Sequence, residues 1–386
     1  MKKSLIVIIL IILGLVCSAQ TDFEEYQKQQ EQEYSGYVEK EKLAEANYYK
    51  QQDSLFIQYK DQIEKLWNEF VESTPKEWVS YNADFSGRSQ VDFEKDEIKV
   101  AAVVEETTTK EEKKEQEEKA KEIVKEQLIS ILKEKDEVTN EPILKDQVQN
   151  PIKKKEPIKE KEIEQLAEDI VKNATTKVFV NEDGKKQIKY EISLNLMPNN
   201  IKTRVEKFKS IIEEFCKKHD VDPKVAMAII HTESFYNPKA YNRHGNAYGM
   251  MQIVPRYAGQ TMNYSLFKKR GKPSSKQLYD PRTNMEMGIG YIRWLANNKW
   301  PKVKNRTNQY WAIICSYNGG PGSVYKAMTG KMNKISQKKW DKMMDDLNNM
   351  DSDKLYEKLH KDIPWEETRK YIKIVKDRMD KYYKDI

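Results

Sequence analysis

Apolar residues recur at helical spacing in the second half of the chain. One face of a predicted amphipathic helix carries Val205, Phe208, Ile212 and Phe215. The next helix is predicted to begin at Asp222-Pro223, because an aspartate N-cap followed by proline is a typical helix start. This helix must end before Pro238, since a proline disfavours helical geometry in the preceding residue.

Similar signals predict further helices toward the carboxyl end. Asp280-Pro281 repeats the start signal, and its helix contains Gly288 and Gly290. Each glycine costs about 1 kcal/mol relative to alanine, a cost that close helix packing could offset. Residues 310–317 form another predicted helix, which ends at Asn318-Gly319-Gly320-Pro321, and the last helix begins at Pro364. The basic segment 264–279 has no apolar periodicity and is predicted to be a loop.

The first half of the chain contains alternating patterns that are typical of strands. Val91 and Phe93 alternate with polar residues, Lys95-Asp96 makes a turn, and residues 98–104 are rich in β-branched types. Residues 178–180 and 188–196 form a predicted hairpin across Asn181-Glu182-Asp183-Gly184. We expect this hairpin to pair with the earlier strands. A helix is predicted to end near Pro75, and Lys and Glu dominate residues 107–173.

These patterns predict an α+β amino-terminal domain followed by a mostly α-helical domain. The first part of the α+β domain spans 20–106, and the hairpin at 175–199 completes it. Between them, 107–174 is predicted to be a charged helical insert with a flexible, solvated stretch. Residues 200–386 form the helical domain. No chemistry is evident before Asn200, so the amino-terminal domain is interpreted as a spacer or positioning element.

Residues 1–19 are predicted to be a secretory signal peptide. Met1-Lys2-Lys3 precedes an apolar run at 5–16, which is shorter than the roughly 20 residues of a membrane-spanning helix. Small residues at 17–19 favour cleavage before Gln20. Lipidation at Cys17, with outer-membrane association, is the alternative. The bulky Val16 directly before this cysteine fits the sequence signal for lipidation poorly. Both alternatives predict export, with the periplasm as the working compartment.

Composition narrows the possible partners and cofactors. The net charge of +6 comes from 68 basic and 62 acidic residues without a basic stripe interleaved with aromatics, so no nucleic-acid partner is predicted. No metal-ligand cluster accompanies the 4 histidines, so neither a metal nor another cofactor is predicted. Beyond Cys17, Cys216 and Cys315 are expected to be buried free thiols. A disulfide between them stays open.

Glu233 is the candidate for chemistry. It lies on the same helical stripe as Val225, Ile229 and Ile230, where a glutamate is not expected. Burial and the negative end of a helix both disfavour the ionised form and raise a carboxyl pKa. A carboxylic acid that stays protonated near neutral pH can act as a general acid. An isolated glutamate at a helix end would more often be solvated.

Four motifs in order support the catalytic interpretation of Glu233. The sequence contains Glu233-Ser234, Gly249-Met250-Met251-Gln252, Ser316-Tyr317-Asn318-Gly319 and Glu367-Thr368-Arg369-Lys370-Tyr371. Together they resemble the family 1 lytic transglycosylases, the enzymes with SLT-like domains that cut bacterial peptidoglycan. The second and third motifs depart from the family pattern, with Met250 replacing leucine and Ser316 replacing alanine. The strands around Arg88-Ser89-Gln90 resemble the amino-terminal domain of the family's membrane-bound C-type branch.

The resemblance implies a lysozyme-like fold for 200–386 and a role for each motif residue. Glu233 would protonate the leaving oxygen between MurNAc and GlcNAc, then deprotonate the sugar's own 6-hydroxyl to form 1,6-anhydromuramic acid. The implied glycan-binding residues are Met251, Gln252, Tyr317 and Asn318. Ser234 and Tyr371 would orient the acid. Asn242 occupies a position that is often serine in the family, and is kept as a weaker candidate.

Two other functions remain open at this point. A hydrolytic muramidase would need a second carboxylate about 5–9.5 Å away, and no Asp or Glu lies between Glu233 and Asp280. A distant carboxylate could still fold into the site. A non-catalytic protein that binds peptidoglycan strands is the alternative from another class, and it would not require Glu233.

Overall fold

The computed structural model describes residues 50–331 and 336–384, together with Glu39, Lys40, Leu43 and Asn47. The chain divides into two compact units, residues 1–65 and 66–386. The described part of the first unit is helical over 50–64. The predicted helix that ends near Pro75 is therefore too long. The predicted signal peptide and Cys17 lie outside the described residues.

The second unit opens with a five-stranded antiparallel sheet of order β1-β2-β3-β5-β4. Val91 pairs with Ile98 across the first predicted turn, and Val100 pairs with Ile192 of the later hairpin. The later hairpin therefore pairs with the earlier strands, as its alternating pattern predicts. The strands are β1 Glu77–Tyr81, β2 Gly87–Asp92, β3 Glu97–Glu105, β4 Thr175–Val180 and β5 Lys186–Asn195.

The prediction of a solvated insert at 107–174 is wrong. Helix α1 (Lys110–Lys133) packs on the sheet, and α2 (Ile163–Val171) packs on α1. The buried face of α1 consists of Ala120, Val124, Leu128, Ile131 and Leu132. Most of these residues are spaced by four, so the apolar stripe is narrow. The abundant Lys and Glu on the other faces make the segment hydrophilic on average, so its composition does not indicate a buried face. The segment is part of the domain core.

Residues 200–384 form the predicted helical domain around a second hydrophobic core. A π-helical turn at Pro255–Gly259 and two short paired strands, β6 Tyr241–Asn242 and β7 Ala247–Tyr248, connect its helices. The helices are α3 Asn200–His219, α4 Pro223–Ser234, α5 Gln260–Phe267, α6 Ser275–Tyr279, α7 Pro281–Asn298, α8 Arg306–Gly319, α9 Pro321–Thr329, α10 Gln337–Asn349, α11 Ser352–Asp362 and α12 Glu366–Tyr382.

Local start signals determine several of these helices. The Asp222 side chain accepts a hydrogen bond from the Lys224 backbone, and the Asp280 side chain accepts one from Thr283. The predicted loop at 264–279 is partly wrong, because α5 and α6 occupy both of its ends. No sequence pattern predicted α9, α10 or α11.

The two glycines of α7 differ in their packing. A Cβ on Gly288 would lie 2.2 Å from the Met251 sulfur, so only glycine lets the 249–252 turn approach the helix this closely. The atoms nearest to a Cβ on Gly290 would be side-chain atoms of Leu266 and Met262, at 3.3 Å or more. Close packing therefore accounts for Gly288, and it places the 249–252 turn against α7.

The sheet domain and the helical domain contact each other directly within the second unit. The Arg204 guanidinium lies 4.7 Å from the centre of the Phe93 ring, and Asn200 donates to Asp96 at 2.8 Å. On another side, Lys239 pairs with Glu134 at 2.8 Å. In the part of the chain that the structure describes, no helix has both the length and the apolar character needed to cross a bilayer.

Candidate active site

Glu233 lies in the last turn of α4, where the chain reverses. Phe235 and Tyr236 follow with φ of 54° and 60°, so the helix ends abruptly and leaves the partly buried Glu233 carboxyl at the floor of a groove. The Tyr371 hydroxyl, on α12, donates a hydrogen bond to the Glu233 Oε1 atom at 2.6 Å. The carboxyl is therefore held by a residue 138 positions away.

Burial raises the pKa of Glu233 to about 7. This pKa is a net result, in which the hydrogen bond from Tyr371 opposes burial, the negative charge of Glu367 acts with burial, and the charges of Arg378 and Lys76 act against it. Near neutral pH the carboxyl therefore exists in comparable amounts as acid and as carboxylate. A group with this balance can donate a proton in one step and accept one in the next.

The groove around Glu233 has a volume of about 440 Å³. This size suits part of a glycan strand or another small ligand. The groove brings together predicted residues from four separate parts of the chain. They are Asn242, Gln252, Tyr317, Asn318 and Tyr371.

Three of the predicted polar residues of the groove are held by hydrogen bonds. Tyr317 donates to the Met251 carbonyl at 2.9 Å, and Asn318 accepts from Thr368 at 2.6 Å. The Gln252 amide donates to the Gly249 carbonyl at 2.9 Å. Within the described residues, the buried Oε1 atom of Gln252 has no hydrogen-bond partner.

The structure corrects the interpretation of Ser234 and Met251. The Ser234 side chain is fully buried, and its hydroxyl donates to the carbonyls of Ile230 and Met250 rather than to Glu233. Met251 is also fully buried, against Gly288, and does not line the groove. The side chains of both residues are parts of the scaffold that positions α4 against the 249–252 turn.

Among the groove residues that the sequence did not indicate, two contributions bear on the chemistry and the binding surface. The first is Glu367, which lines the groove and accepts a hydrogen bond from the Asn318 side chain at 3.1 Å. Its position four residues before Tyr371 was the available signal, because that spacing puts both on one helix face. The second is residues 74–76 of the sheet domain, which form part of one wall. Nothing in the local sequence indicates that contact.

A buried polar cluster behind the site ties α12 to α4. The Tyr383 hydroxyl lies 3.1 Å from His231 Nδ1 and 3.0 Å from the Tyr236 hydroxyl, which donates to the Met227 carbonyl. Burial, followed by the charge of Arg378, lowers the pKa of His231 to about 2, so this ring stays neutral. The cluster joins the helix that carries Tyr371 to the helix that carries Glu233.

The two cysteines of the helical domain are buried free thiols, as expected. Cys216 lies on α3 and Cys315 on α8. Burial raises the pKa of the Cys216 thiol to about 12 and that of the Cys315 thiol further still. Neither is therefore a nucleophile at neutral pH.

Comparison with known proteins gives two family matches that together cover most of the chain. Residues 210–340 match the Transglycosylase SLT domain, and residues 37–207 match the amino-terminal domain of membrane-bound lytic murein transglycosylase C. The second match includes residues 107–174, in agreement with their packing on the sheet.

Individual relatives agree with these family matches. The chain is 28% identical to membrane-bound lytic murein transglycosylase C of Sodalis glossinidius, over 86% of this chain and 89% of that protein. It is 24% identical to the protein of that name from Pectobacterium atrosepticum, over 99% of both chains. Among solved structures, it resembles the 70 kDa soluble lytic transglycosylase SLT70 of Escherichia coli. That match has 26% identity and a TM-score of 0.33, and covers 46% of this chain and 24% of that one.

Proposed function

The chain belongs to the lytic transglycosylases of the SLT type, and from that premise we propose that it cleaves peptidoglycan strands between MurNAc and GlcNAc with Glu233 as its only acid and base. The observation that carries the proposal is the Glu233 carboxyl itself. It lies in a groove, is held by Tyr371, and has a pKa raised to about 7 by burial.

In the proposed first step, protonated Glu233 gives its proton to the oxygen that links MurNAc C1 to the next sugar. The C1–O bond breaks, and the departing GlcNAc leaves as an alcohol. The positive charge that develops at C1 is stabilised by the neighbouring 2-acetamido group, so a second carboxylate is not required. Glu233 is now a carboxylate beside the sugar.

In the second step, this carboxylate removes the proton from the 6-hydroxyl of the same MurNAc. The hydroxyl oxygen bonds to C1 and closes a 1,6-anhydro ring, and Glu233 regains its proton without consuming water. In this proposal Tyr371 holds the acid. Gln252, Tyr317 and Asn318 position the sugar and its acetamido group, with Asn242 as a further polar contact on the groove wall.

The presence of Glu367 in the groove supports a second candidate function, that of a hydrolytic muramidase. It brings another carboxylate into the groove, where it could activate a water in place of the 6-hydroxyl. Its hydrogen bond from Asn318 favours a positioning role instead. The products separate the two functions, because hydrolysis leaves reducing ends and ring closure leaves 1,6-anhydromuramic acid.

Replacing Glu233 tests the site. Glu233→Gln keeps the size of the side chain but removes its proton chemistry. General acid–base catalysis contributes about 10²–10⁴-fold per step, so nearly all turnover should disappear while glycan binding persists. Glu366→Gln is the control, since Glu366 is exposed and pairs with Lys370 outside the groove.

Mass spectrometry of digested peptidoglycan provides the measurement. Wild type should release products that end in 1,6-anhydromuramic acid. Reducing ends would instead establish the muramidase, and undiminished cleavage by Glu233→Gln would refute the assigned acid. Wild type that binds several wall preparations but cleaves none would be the non-catalytic binding protein.

We also propose that the chain is exported and attached to a membrane through a lipid on Cys17. The relatives carry "membrane-bound" in their names, which supports this attachment over simple cleavage before Gln20. Mass analysis of the mature amino terminus should find a diacylglyceryl group on Cys17. A free amino terminus at Gln20 would show simple export.

A further inference from the structure

A second cavity of about 440 Å³ lies beside the catalytic groove. The two share the same chain segments but use different residues of them. Residues 74–76 line the groove, whereas Ser73, Trp78 and Val79 line the second cavity. In β6, Asn242 lines the groove and Tyr241 the second cavity. Because neighbouring residues of these two segments line different cavities, the segments form a wall that the two cavities share.

The walls of the second cavity are aromatic. Trp78, Tyr241 and Tyr279 line it, and Tyr248 connects the two tyrosines. The Tyr248 ring centre lies 4.8 Å from that of Tyr241 and 5.4 Å from that of Tyr279. Such walls suit alkyl chains and planar amides.

The charged residues of the cavity fall into two groups. Lys239 pairs with Glu134, and the buried Asp136 pairs with Lys207, so these charges are already neutralised. Glu137 and Lys276 also line the cavity and are exposed. Within the described residues, neither of these two has an ion-pair partner. The cavity therefore presents one free carboxylate and one free ammonium group to a ligand.

These features point to a ligand that has charges of both signs and branches away from the glycan. The backbone of acetamido sugars is uncharged, so it cannot form ion pairs with Glu137 or Lys276. The stem peptide attached to MurNAc carries carboxylates and, in its diamino acid, an amine. We propose that the second cavity binds the stem peptide of a muramyl residue whose sugar lies in the groove. This inference rests on the proposed function and names the part of peptidoglycan that gives affinity.

Binding to the full chain carrying Glu233→Gln tests the proposal without turnover. Calorimetric titration compares a peptide-bearing tetrasaccharide with the same tetrasaccharide after its peptides have been removed. We expect the peptide-bearing form to bind at least ~5-fold more tightly, the range of one or two exposed charge pairs. Equal affinity for both forms would overturn the proposal.

Charge reversals then locate the contact. Lys276→Glu and Glu137→Lys should each reduce affinity for the peptide-bearing glycan by about 3–5-fold and leave the stripped glycan unchanged. The two substitutions change net charge in opposite directions, so a loss in both cannot come from long-range attraction. Lys269→Glu is the matched control, because Lys269 is exposed in the same basic segment and lines neither cavity.

A different outcome would reassign the cavity. If both charge reversals weaken binding of the stripped glycan as much as binding of the peptide-bearing glycan, the cavity is a sugar subsite and the proposal is wrong. Failure of the proposed function would look different. In that case wild type would leave both glycans uncut, while the titrations with Glu233→Gln would still report whether the peptide adds affinity.

Discussion

At the scale of single residues, the protonation of Glu233 is a balance between opposing groups. Burial raises its pKa most, and the charge of Glu367 acts in the same direction. The Tyr371 hydrogen bond acts against both. The first proposed step requires the protonated form, so kcat/KM should be high below pH 7 and fall as pH rises through about 7.

The two neighbours of Glu233 should shift this pH dependence in opposite directions. Tyr371→Phe removes a hydrogen bond that favours the carboxylate. The pKa of Glu233 therefore rises, and the fall in kcat/KM moves to higher pH. Glu367→Gln removes a negative charge that favours the acid, so the fall moves to lower pH. Loss of the Tyr371 hydrogen bond should also reduce kcat by about 10–100-fold.

The full pH profile of kcat/KM on purified glycan strands measures both shifts. Shifts in the same direction would contradict the assignment of the two contacts. A loss of activity in Glu367→Gln as large as in Glu233→Gln, at every pH, would instead favour Glu367 as a second catalytic carboxylate.

At the scale of elements, α7 supports the site from behind. Gly288 lets the Met251 side chain pack directly on the helix, and the Met251 carbonyl accepts the hydrogen bond from Tyr317. The Asn284 side chain, also on α7, accepts from the Met251 backbone N–H at 2.8 Å. Three contacts of one turn thus link the packing of α7 to a residue in the groove.

The glycines of α7 provide a matched test of this link. Gly288→Ala should destabilise the fold by about 1–3 kcal/mol, since the Met251 turn must shift. Activity should fall with it, because Tyr317 loses its fixed acceptor. Gly290→Ala should be neutral or stabilise by up to about 1 kcal/mol, because its neighbours are flexible side-chain ends and alanine favours helix.

Urea unfolding and glycan turnover of both variants give the comparison. Equal stability of Gly288→Ala and wild type would show that the turn is not held by this packing. Normal turnover by a destabilised Gly288→Ala would show that Tyr317 does not depend on it.

At the scale of the whole molecule, the sheet domain is more than a spacer. Residues 74–76 form part of the groove wall, and the Asn237 side chain donates to the Pro75 carbonyl at 3.2 Å. Phe93 and Asp96 contact Arg204 and Asn200 of the helical domain. The sheet domain therefore shapes the binding surface, although it contributes nothing to the contact between Glu233 and Tyr371.

Removal of the sheet domain should therefore affect binding more than chemistry. A fragment of residues 200–386 retains Glu233, Tyr371 and the helices that carry them. It should cleave peptidoglycan with a raised KM and a lower Tm than the full chain. Circular dichroism must first show that the fragment is helical. Complete inactivity of a folded fragment would show that residues 74–76 take part in the chemistry.

The sequence by itself determined the features that depend on neighbouring residues. Helix starts at Asp222 and Asp280 follow from side-chain caps, and the hairpins follow from period-two alternation and turn residues. Glu233 was identifiable because a charged residue on an apolar stripe breaks a local rule. The α+β domain followed by a mostly helical domain was predicted correctly from such local patterns, whereas the lysozyme-like fold was implied by the resemblance of the four motifs.

Only the tertiary structure decided which side chains meet. Packing turned Ser234 and Met251 inward and brought Glu367 and residues 74–76 into the groove. It also converted the charge-rich α1 into part of the sheet domain's core, through a stripe too narrow to dominate composition. These contacts join residues far apart in the chain, and local propensity carries no information about such distances.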